Sequence, residues 1–214
     1  MIQTLICIDR DGTLIRDEKP HLFLGRDNDW ISKVQVLPGV IEGLKKLKTL
    51  PETRTYMITN QPGVAITDFP LLTLERAHEV CSYVIQKLNQ MGAEISGYFL
   101  CPHASLEYVS SNPGIHFDPK FIQDCTCFKP GLGMVFDALS AEKIRPDNTR
   151  IYVIGDRATD VATALNIDGA GILIPFENEP GEIEKTRKLD GQNNIFIVRD
   201  MVEAAELIIS KEIP

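Results

Sequence analysis

The chain has 214 residues, 43% of them hydrophobic and 24% charged, with a formal net charge of -8. That length can bury a substantial core, and the composition is that of an ordinary globular protein. The negative balance argues against a general nucleic-acid or anionic-membrane surface, where phosphates demand Lys and Arg, yet it leaves room for a small phosphorylated substrate met by local positive charge. No apolar run approaches about 18 residues, so no membrane span is expected. Met1 leads almost directly into a strand, without the basic and apolar regions of a signal peptide, so a cytoplasmic location is expected. Five cysteines there point to metal or core roles before disulfides.

The first strand is Leu5-Ile6-Cys7-Ile8 behind Thr4, too short for a buried helix and rich in β-branched residues. It stops at Asp9-Arg10-Asp11-Gly12-Thr13. Residues 16–36 are polar and irregular, either a substrate-covering flap or a plain surface loop. Pro38-Gly39 opens a helix carrying Val40, Ile41, Leu44, Leu47 and Leu50, closed by Pro51. Residues 55–59 read as a second strand ending in the turn Asn60-Gln61-Pro62-Gly63. An amphipathic helix is predicted over 71–91, with Leu74, Ala77, Val80, Cys81, Val84, Ile85 and Leu88 on one face. Residues 97–100 form a third strand, and 104–124 look like a loop. A helix follows Pro130-Gly131, burying Met134, Val135, Ala138 and Leu139. Strands are expected at 151–154, 171–174 and 195–198, with helices at 158–167 and about 201–210.

Strand–helix alternation predicts an α/β fold, a Rossmann-like parallel sheet with helices on both faces, built as one domain over 1–214. Three strand ends then carry polar residues along one carboxyl edge: Asp9 with Asp11, Thr59 with Asn60, and Gly155 with Asp156. That edge is where open parallel sheets bind ligands. Alternate residues of an extended chain point the same way, so the Asp9 and Asp11 carboxylates are expected to converge, with magnesium the natural cation between them. An isolated Asp-x-Asp-Gly is also common turn chemistry. Asp156 would complete an acidic cation site, and Asp160 lies one helical turn later. Thr59 and Asn60 offer hydroxyl, amide and backbone N–H groups suited to phosphate oxygens, and Lys129, in a stiff loop before a helix, can neutralise a phosphate.

Cys101, His103, Cys125 and Cys127 supply three sulfurs and an imidazole, a complete tetrahedral zinc set with no open position, hence a structural site at the ends of a 101–127 loop. Buried thiols with an incidental histidine are the other reading. Cys7 and Cys81 read as core. His21, His78 and His116 have no partner pattern.

The strand-terminal Asp9-x-Asp11-x-Thr13, the strand ending in Thr59, Lys129-Pro130 and Gly155-Asp156-x-x-x-Asp160, in that order, resemble the four motifs of the haloacid-dehalogenase-like (HAD) phosphohydrolases. The resemblance implies that Asp9 is the nucleophile, that Asp11 is general acid and then base, and that magnesium is held by Asp9, the Asp11 backbone carbonyl and Asp156. It implies also that Thr59, Asn60 and Lys129 hold the phosphate and that the cap is minimal. An unperturbed aspartate, with a pKa of about 3.9, would need no base to attack. The zinc loop just before the motif lysine is similar to the histidinol-phosphate and heptose-bisphosphate phosphatase branch. Gly155-Asp156-Arg157-Ala158-Thr159-Asp160 looks most like the histidinol-phosphatase domain of bacterial histidine biosynthesis. The resemblance implies a small phosphorylated metabolite as partner, and leaves the oligomeric state open. Two features depart from it: Phe128 stands where relatives usually have Arg, and the 21 residues between His103 and Cys125 are longer than the branch usually has. The insertion, with Tyr108, His116 and Phe117, either reshapes the pocket mouth or is a neutral decoration. A binding module that has lost catalysis is the reading from another class.

Overall fold

The computed structural model describes residues 3–16 and 23–212. Its elements, in chain order, are β1 (Gln3–Ile8), α1 (Val40–Leu47), β2 (Thr53–Asn60), α2 (Leu74–Gln90), β3 (Gly97–Cys101), α3 (Leu106–Ser110), α4 (Gly133–Glu142), β4 (Thr149–Gly155), α5 (Ala158–Leu165), β5 (Ala170–Leu173), α6 (Glu182–Arg187), β6 (Ile195–Ile197) and α7 (Met201–Glu212). The strands form one parallel sheet in the order β3-β2-β1-β4-β5-β6.

Side-chain alternation along the central strands splits the core into two layers. Ile6, Ile8, Met57, Tyr152 and Ile154 face a layer built from α1, α2 and α7. Leu5, Cys7, Tyr56, Ile58, Ile151 and Val153 face the layer under α4. Both faces are covered, which is why these strands read as near-continuous apolar runs. The helix α2 starts where the Thr73 hydroxyl accepts the Arg76 N–H at 3.2 Å, and its buried Ala77, Val80, Cys81, Val84 and Leu88 follow helical spacing.

The expected 104–124 loop is partly ordered structure. It contains α3, capped by the Ser105 hydroxyl accepting from Tyr108 N–H at 3.1 Å, and a 3-10 turn over Pro119–Phe121. A five-residue helix with no buried residue leaves no periodic apolar stripe to read. The short α6 likewise carries no apolar stripe, burying only Glu182 and Thr186. Of the 16–36 segment, residues 17–22 and with them His21 lie outside the described residues. The remainder is anchored: Trp30 is buried and meets Tyr83 edge-on at 5.4 Å. No helix among the described residues is long and apolar enough to cross a membrane.

Two carboxylates tie helix ends to opposite faces of the sheet near its amino edge. Glu142 at the end of α4 accepts from Tyr56 Oη at 2.6 Å and from Arg54 Nε at 3.1 Å. Glu212 at the end of α7 accepts from Tyr152 Oη at 2.7 Å, Thr4 Oγ1 at 3.0 Å and Arg150 at 2.9 Å. Each Arg-x-Tyr strand segment thus grips one helix. Tyr56→Phe and Tyr152→Phe should each cost about 1 kcal/mol in urea unfolding, and, lying on opposite faces, should add within about 0.5 kcal/mol in the double variant. A strongly non-additive double variant would show the two clamps to be one network.

Candidate active site and metal centre

β1, β2 and β4 end at the same level because they are parallel and in register, with Ile8 opposite both Met57 and Ile154. Asp9 N–H extends the ladder by donating to Ile154 O at 2.9 Å, and the chain then turns, Gly12 N–H donating to Ile15 O at 2.8 Å. The two carboxylates stay near enough for the Asp11 charge to act on Asp9. Asp11 receives Arg10 Nε at 3.0 Å, an Arg10 terminal nitrogen at 2.7 Å and Gln61 Nε2 at 2.9 Å. Arg10, wholly buried, also donates to Gln61 Oε1 at 2.9 Å, and Gln61 donates on to Thr59 Oγ1 at 2.8 Å.

Asp9 is paired elsewhere. The Lys129 ammonium, 4% exposed, lies 2.5 Å from Asp9 Oδ1 and 2.5 Å from Asp160 Oδ1. The loop bearing it is clamped by Asn60, whose Oδ1 accepts Lys129 N–H at 2.9 Å and whose Nδ2 donates to Lys129 O at 3.3 Å. The Asn60 amide thus places Lys129. Asp160 is brought in by α5, where its other oxygen accepts Arg157 N–H at 3.1 Å. Gly155 makes room for it: a Cβ there would fall 2.1 Å from Asp160 Cγ.

Asp156 sits beside this cluster, 2% exposed, and its Oδ1 has no partner among the described residues. Burial, with the charges of Asp9 and Asp160, pushes its carboxyl up to about 9. Burial likewise pushes Asp9 up to about 7 against the pull of Lys129, well above the ordinary acidity expected from its type. Lys129 is held protonated by Asp160 and Asp9 although burial opposes it. Three buried carboxylates against one ammonium carry a negative surplus once all are ionised, with an orphan carboxylate oxygen at the edge. Gly12, at φ 81°, adopts a left-handed conformation and keeps the space in front of Asp156 open, since a Cβ would lie 2.3 Å from Asp156 Oδ2. An acidic, oxygen-only donor set of this kind fits a magnesium ion.

The second cluster is compact. Cys101, His103, Cys125 and Cys127 place one ligand atom each within 4.8 Å of one another, so they could hold a metal ion. Cys127 Sγ is 2.8 Å from Cys101 Sγ and 3.2 Å from Cys125 Sγ, and His103 Nδ1 lies 3.4 Å from Cys127 Sγ. A zinc tetrahedron with bonds of about 2.3 Å has edges of about 3.8 Å, so a modest expansion accommodates the ion. Hydrogen bonding with Cys101, helped by Cys125 and His103, draws the Cys127 thiol down to about 5, while Cys101 is raised. The Gln123 amide lies 2.7 Å from His103 Nε2. Amide oxygen and nitrogen are interchangeable in assignment, and the satisfied arrangement is Nε2–H donating to the Gln123 oxygen with Nδ1 turned to the sulfurs.

Arg10, Gln61 and Gln123 were not singled out from the sequence. Gln61 had a legible signal, a polar residue directly after Thr59-Asn60, whereas a wholly buried Arg10 between two acids offers none. Cys7 is core as expected, and Cys81, also buried, accepts from Arg10 at 3.4 Å.

If Gln123 fixes the His103 tautomer, Gln123→Leu should weaken zinc retention by about tenfold in competition with a chromophoric chelator, while Gln123→Glu should retain it. Equal affinity in all three proteins would reduce Gln123 to a surface contact.

A family model described as HAD-hydrolase-like matches residues 126–203. Histidine biosynthesis bifunctional protein HisB from Baumannia cicadellinicola is 30% identical over 167 residues, covering 78% of this chain and 40% of the relative. The HisB of Campylobacter jejuni strain 81-176 is 30% identical over 172 residues, covering 80% of this chain and 42% of the relative. The chain thus spans about two fifths of the length of these curated relatives. Among solved structures, D,D-heptose 1,7-bisphosphate phosphatase from B. bronchiseptica, in complex with magnesium and phosphate, superposes with a TM-score of 0.71 at 20% identity over 98% of this chain and 99% of that one. The enzyme of that name from Burkholderia thailandensis gives 0.58 at 15% identity, over 97% and 99%. With the six-stranded parallel sheet and the ordered motifs at its carboxyl edge, these similarities establish that the chain belongs to the HAD-like superfamily.

Proposed function

We propose that the chain is a magnesium-dependent phosphatase of a small phosphomonoester, with L-histidinol phosphate the favoured substrate. The observation that carries the reading is the buried Lys129 bridging Asp9 and Asp160 beside the unpartnered Asp156 oxygen. The motif likeness to histidinol phosphatases and the relatives named for histidine biosynthesis support the substrate.

In this reading the Asp9 carboxylate attacks phosphorus, forming an aspartyl phosphate and releasing the alkoxide, which takes a proton from Asp11. Asp11 then removes a proton from the water that attacks the phosphoaspartate, regenerating Asp9. Arg10 and Gln61 fix where the Asp11 carboxyl stands. Lys129 supplies positive charge next to the phosphoryl oxygens, the main requirement of phosphoryl transfer. Magnesium, held by Asp9, the Asp11 carbonyl and Asp156, would supply charge neutralisation at the same oxygens. Zinc at Cys101, His103, Cys125 and Cys127 would be structural. Five free cysteines suit a reducing, cytoplasmic setting.

Asp9→Asn should abolish phosphate release from every monoester tested while leaving the melting temperature near that of the parent. A variant with normal turnover would sink the nucleophile assignment. Within a panel containing histidinol phosphate and heptose 1,7-bisphosphate, the former should be turned over best; preference for another ester would refute the substrate and spare the chemistry.

The acidic cluster also sets a pH dependence. Without metal, Asp9 and Asp156 keep their protons to about 7 and about 9 in the folded chain. Both values exceed the unfolded value of about 3.9, so the folded state binds more protons across that interval and these groups cost stability as pH rises through it. Magnesium should therefore raise the melting temperature more at pH 8.5 than at pH 5.5, and Asp156→Asn should flatten the difference. Equal shifts at both pH values would place the ion elsewhere.

A further inference from the structure

Arg10, Asp11, Thr59 and Gln61 form one hydrogen-bonded network at the carboxyl edge, and the direction of every bond in it can be assigned. Arg10, Gln61 and Thr59 are buried, at 0%, 2% and 1% exposure, so their partners are protein groups. The Arg10 guanidinium can only donate, so the Gln61 atom 2.9 Å from its terminal nitrogen is the carbonyl oxygen, Oε1. The amide nitrogen therefore lies on the other side, where Nε2 donates to Asp11 Oδ2 at 2.9 Å and to Thr59 Oγ1 at 2.8 Å. Oε1 and both amide hydrogens are thereby engaged. The Gln61 main chain is tied as well: its N–H donates to Cys101 O at 2.7 Å, and its carbonyl accepts Val64 N–H at 3.2 Å.

The two oxygens of Asp11 are then unlike. Oδ2 accepts from Gln61 and from the Arg10 terminal nitrogen at 2.7 Å, which fills its two lone pairs. Oδ1 accepts only Arg10 Nε, at 3.0 Å and shared with Oδ2, so it keeps a lone pair that a proton can occupy. The Asp11 side chain is 25% exposed, which makes it the member of the network that a ligand can reach. Thr59 is fixed in a different sense. Its Oγ1 accepts from Gln61, so its own hydrogen points away from Gln61, and no acceptor among the described residues takes it. A buried hydroxyl hydrogen without an acceptor is costly, and a phosphoryl oxygen would satisfy it.

We infer that Gln61 is a positioning residue that sets where the protons of the site stand: it holds Asp11 Oδ2 as an acceptor, leaving Oδ1 to carry the transferred proton, and it turns the Thr59 hydroxyl into a donor. The inference rests on the phosphatase reading of the site. As Asp9 bonds to phosphorus, the bond from phosphorus to the ester oxygen breaks and the Oδ1 proton passes to that oxygen. Water then bonds to phosphorus, the bond to Asp9 breaks, and a proton of the water returns to Oδ1. Gln61 makes and breaks no bond in either step; it acts through Asp11 and Thr59.

The test compares alkyl esters, L-histidinol phosphate and ethyl phosphate, whose alkoxides need a proton to leave, with 4-nitrophenyl phosphate, whose phenolate does not. The full chain is assayed with magnesium, and kcat/KM is read because it covers the steps up to departure of the leaving group. Gln61→Leu should lower kcat/KM for the alkyl esters about tenfold more than for 4-nitrophenyl phosphate. Asp11→Asn should show the same bias, and adding Gln61→Leu to it should not deepen the bias, because the effect passes through Asp11. Gln61→Glu keeps an acceptor for Arg10 and removes the amide donor, so it should show the bias even where Gln61→Leu fails to fold; melting temperatures report folding of each variant. Losses that are equal for the two kinds of ester, or a bias that Gln61→Leu deepens in the Asp11→Asn background, overturn the inference and leave the phosphatase standing. Parent turnover confined to 4-nitrophenyl phosphate does the same, since no proton is then delivered to the leaving group. A parent that turns over none of the esters removes the phosphatase reading and this inference with it.

Discussion

The site depends on one buried ammonium. Lys129 is removed from water and survives there only because two carboxylates accept it, since an unpaired buried charge costs several kcal/mol. The need to hold Asp9 and Asp160 on either side of one nitrogen fixes the neighbourhood. It requires β1 and β4 in register, a glycine at 155 so that α5 can bring Asp160 against the strand end, and Asn60 gripping the lysine backbone from β2. Three chain segments far apart in sequence are thereby locked to one point. The pairing is still incomplete in charge, because Asp156 adds a third carboxylate with an unsatisfied oxygen. The cluster is thus stable as a protein feature and unbalanced as an electrostatic one, the condition under which a divalent cation is welcome.

The cysteine–histidine set is wired into the same edge. Cys101 ends β3; its sulfur belongs to the metal-ligand cluster while its carbonyl accepts Gln61 N–H at 2.7 Å. Gln61 in turn holds Asp11. Cys127 is two residues from Lys129. His103 and Cys125 pinch the base of the 104–124 insertion, where Ala104 N–H donates to Phe121 O and Gln123 N–H donates to Ala104 O. A closed four-ligand site has no open position for chemistry. Its mechanical effect would be to stiffen Lys129, the Gln61 support of Asp11 and the ring-bearing insertion together.

Most of the fold was legible because it rests on period and punctuation. Apolar runs of four to six residues ending in Asp9, Asn60 and Asp156 gave the strands and their common edge, and the 3.6-residue spacing of Val80, Val84 and Leu88 gave α2. What stayed hidden depends on where a chain turns after its strand. Spacing alone said that the Asp9 and Asp11 carboxylates lie near each other; it did not say that each has its own cation, Lys129 and Arg10. The commitment of the Asn60 amide to the Lys129 backbone is equally invisible, being a contact over 69 residues of sequence.

Phe128 stands directly before Lys129 and brings no charge to the acid-rich cluster. A guanidinium there would stand one residue from the acid-rich cluster and offset part of its surplus. A phenyl ring offsets none of it, and burial with the neighbouring carboxylates keeps Asp9 and Asp156 raised. The ring packs against the core layer under α4 and against Tyr108 of the insertion. The Lys129 loop and the 104–124 segment are thus joined by a ring contact, Phe128 against Tyr108.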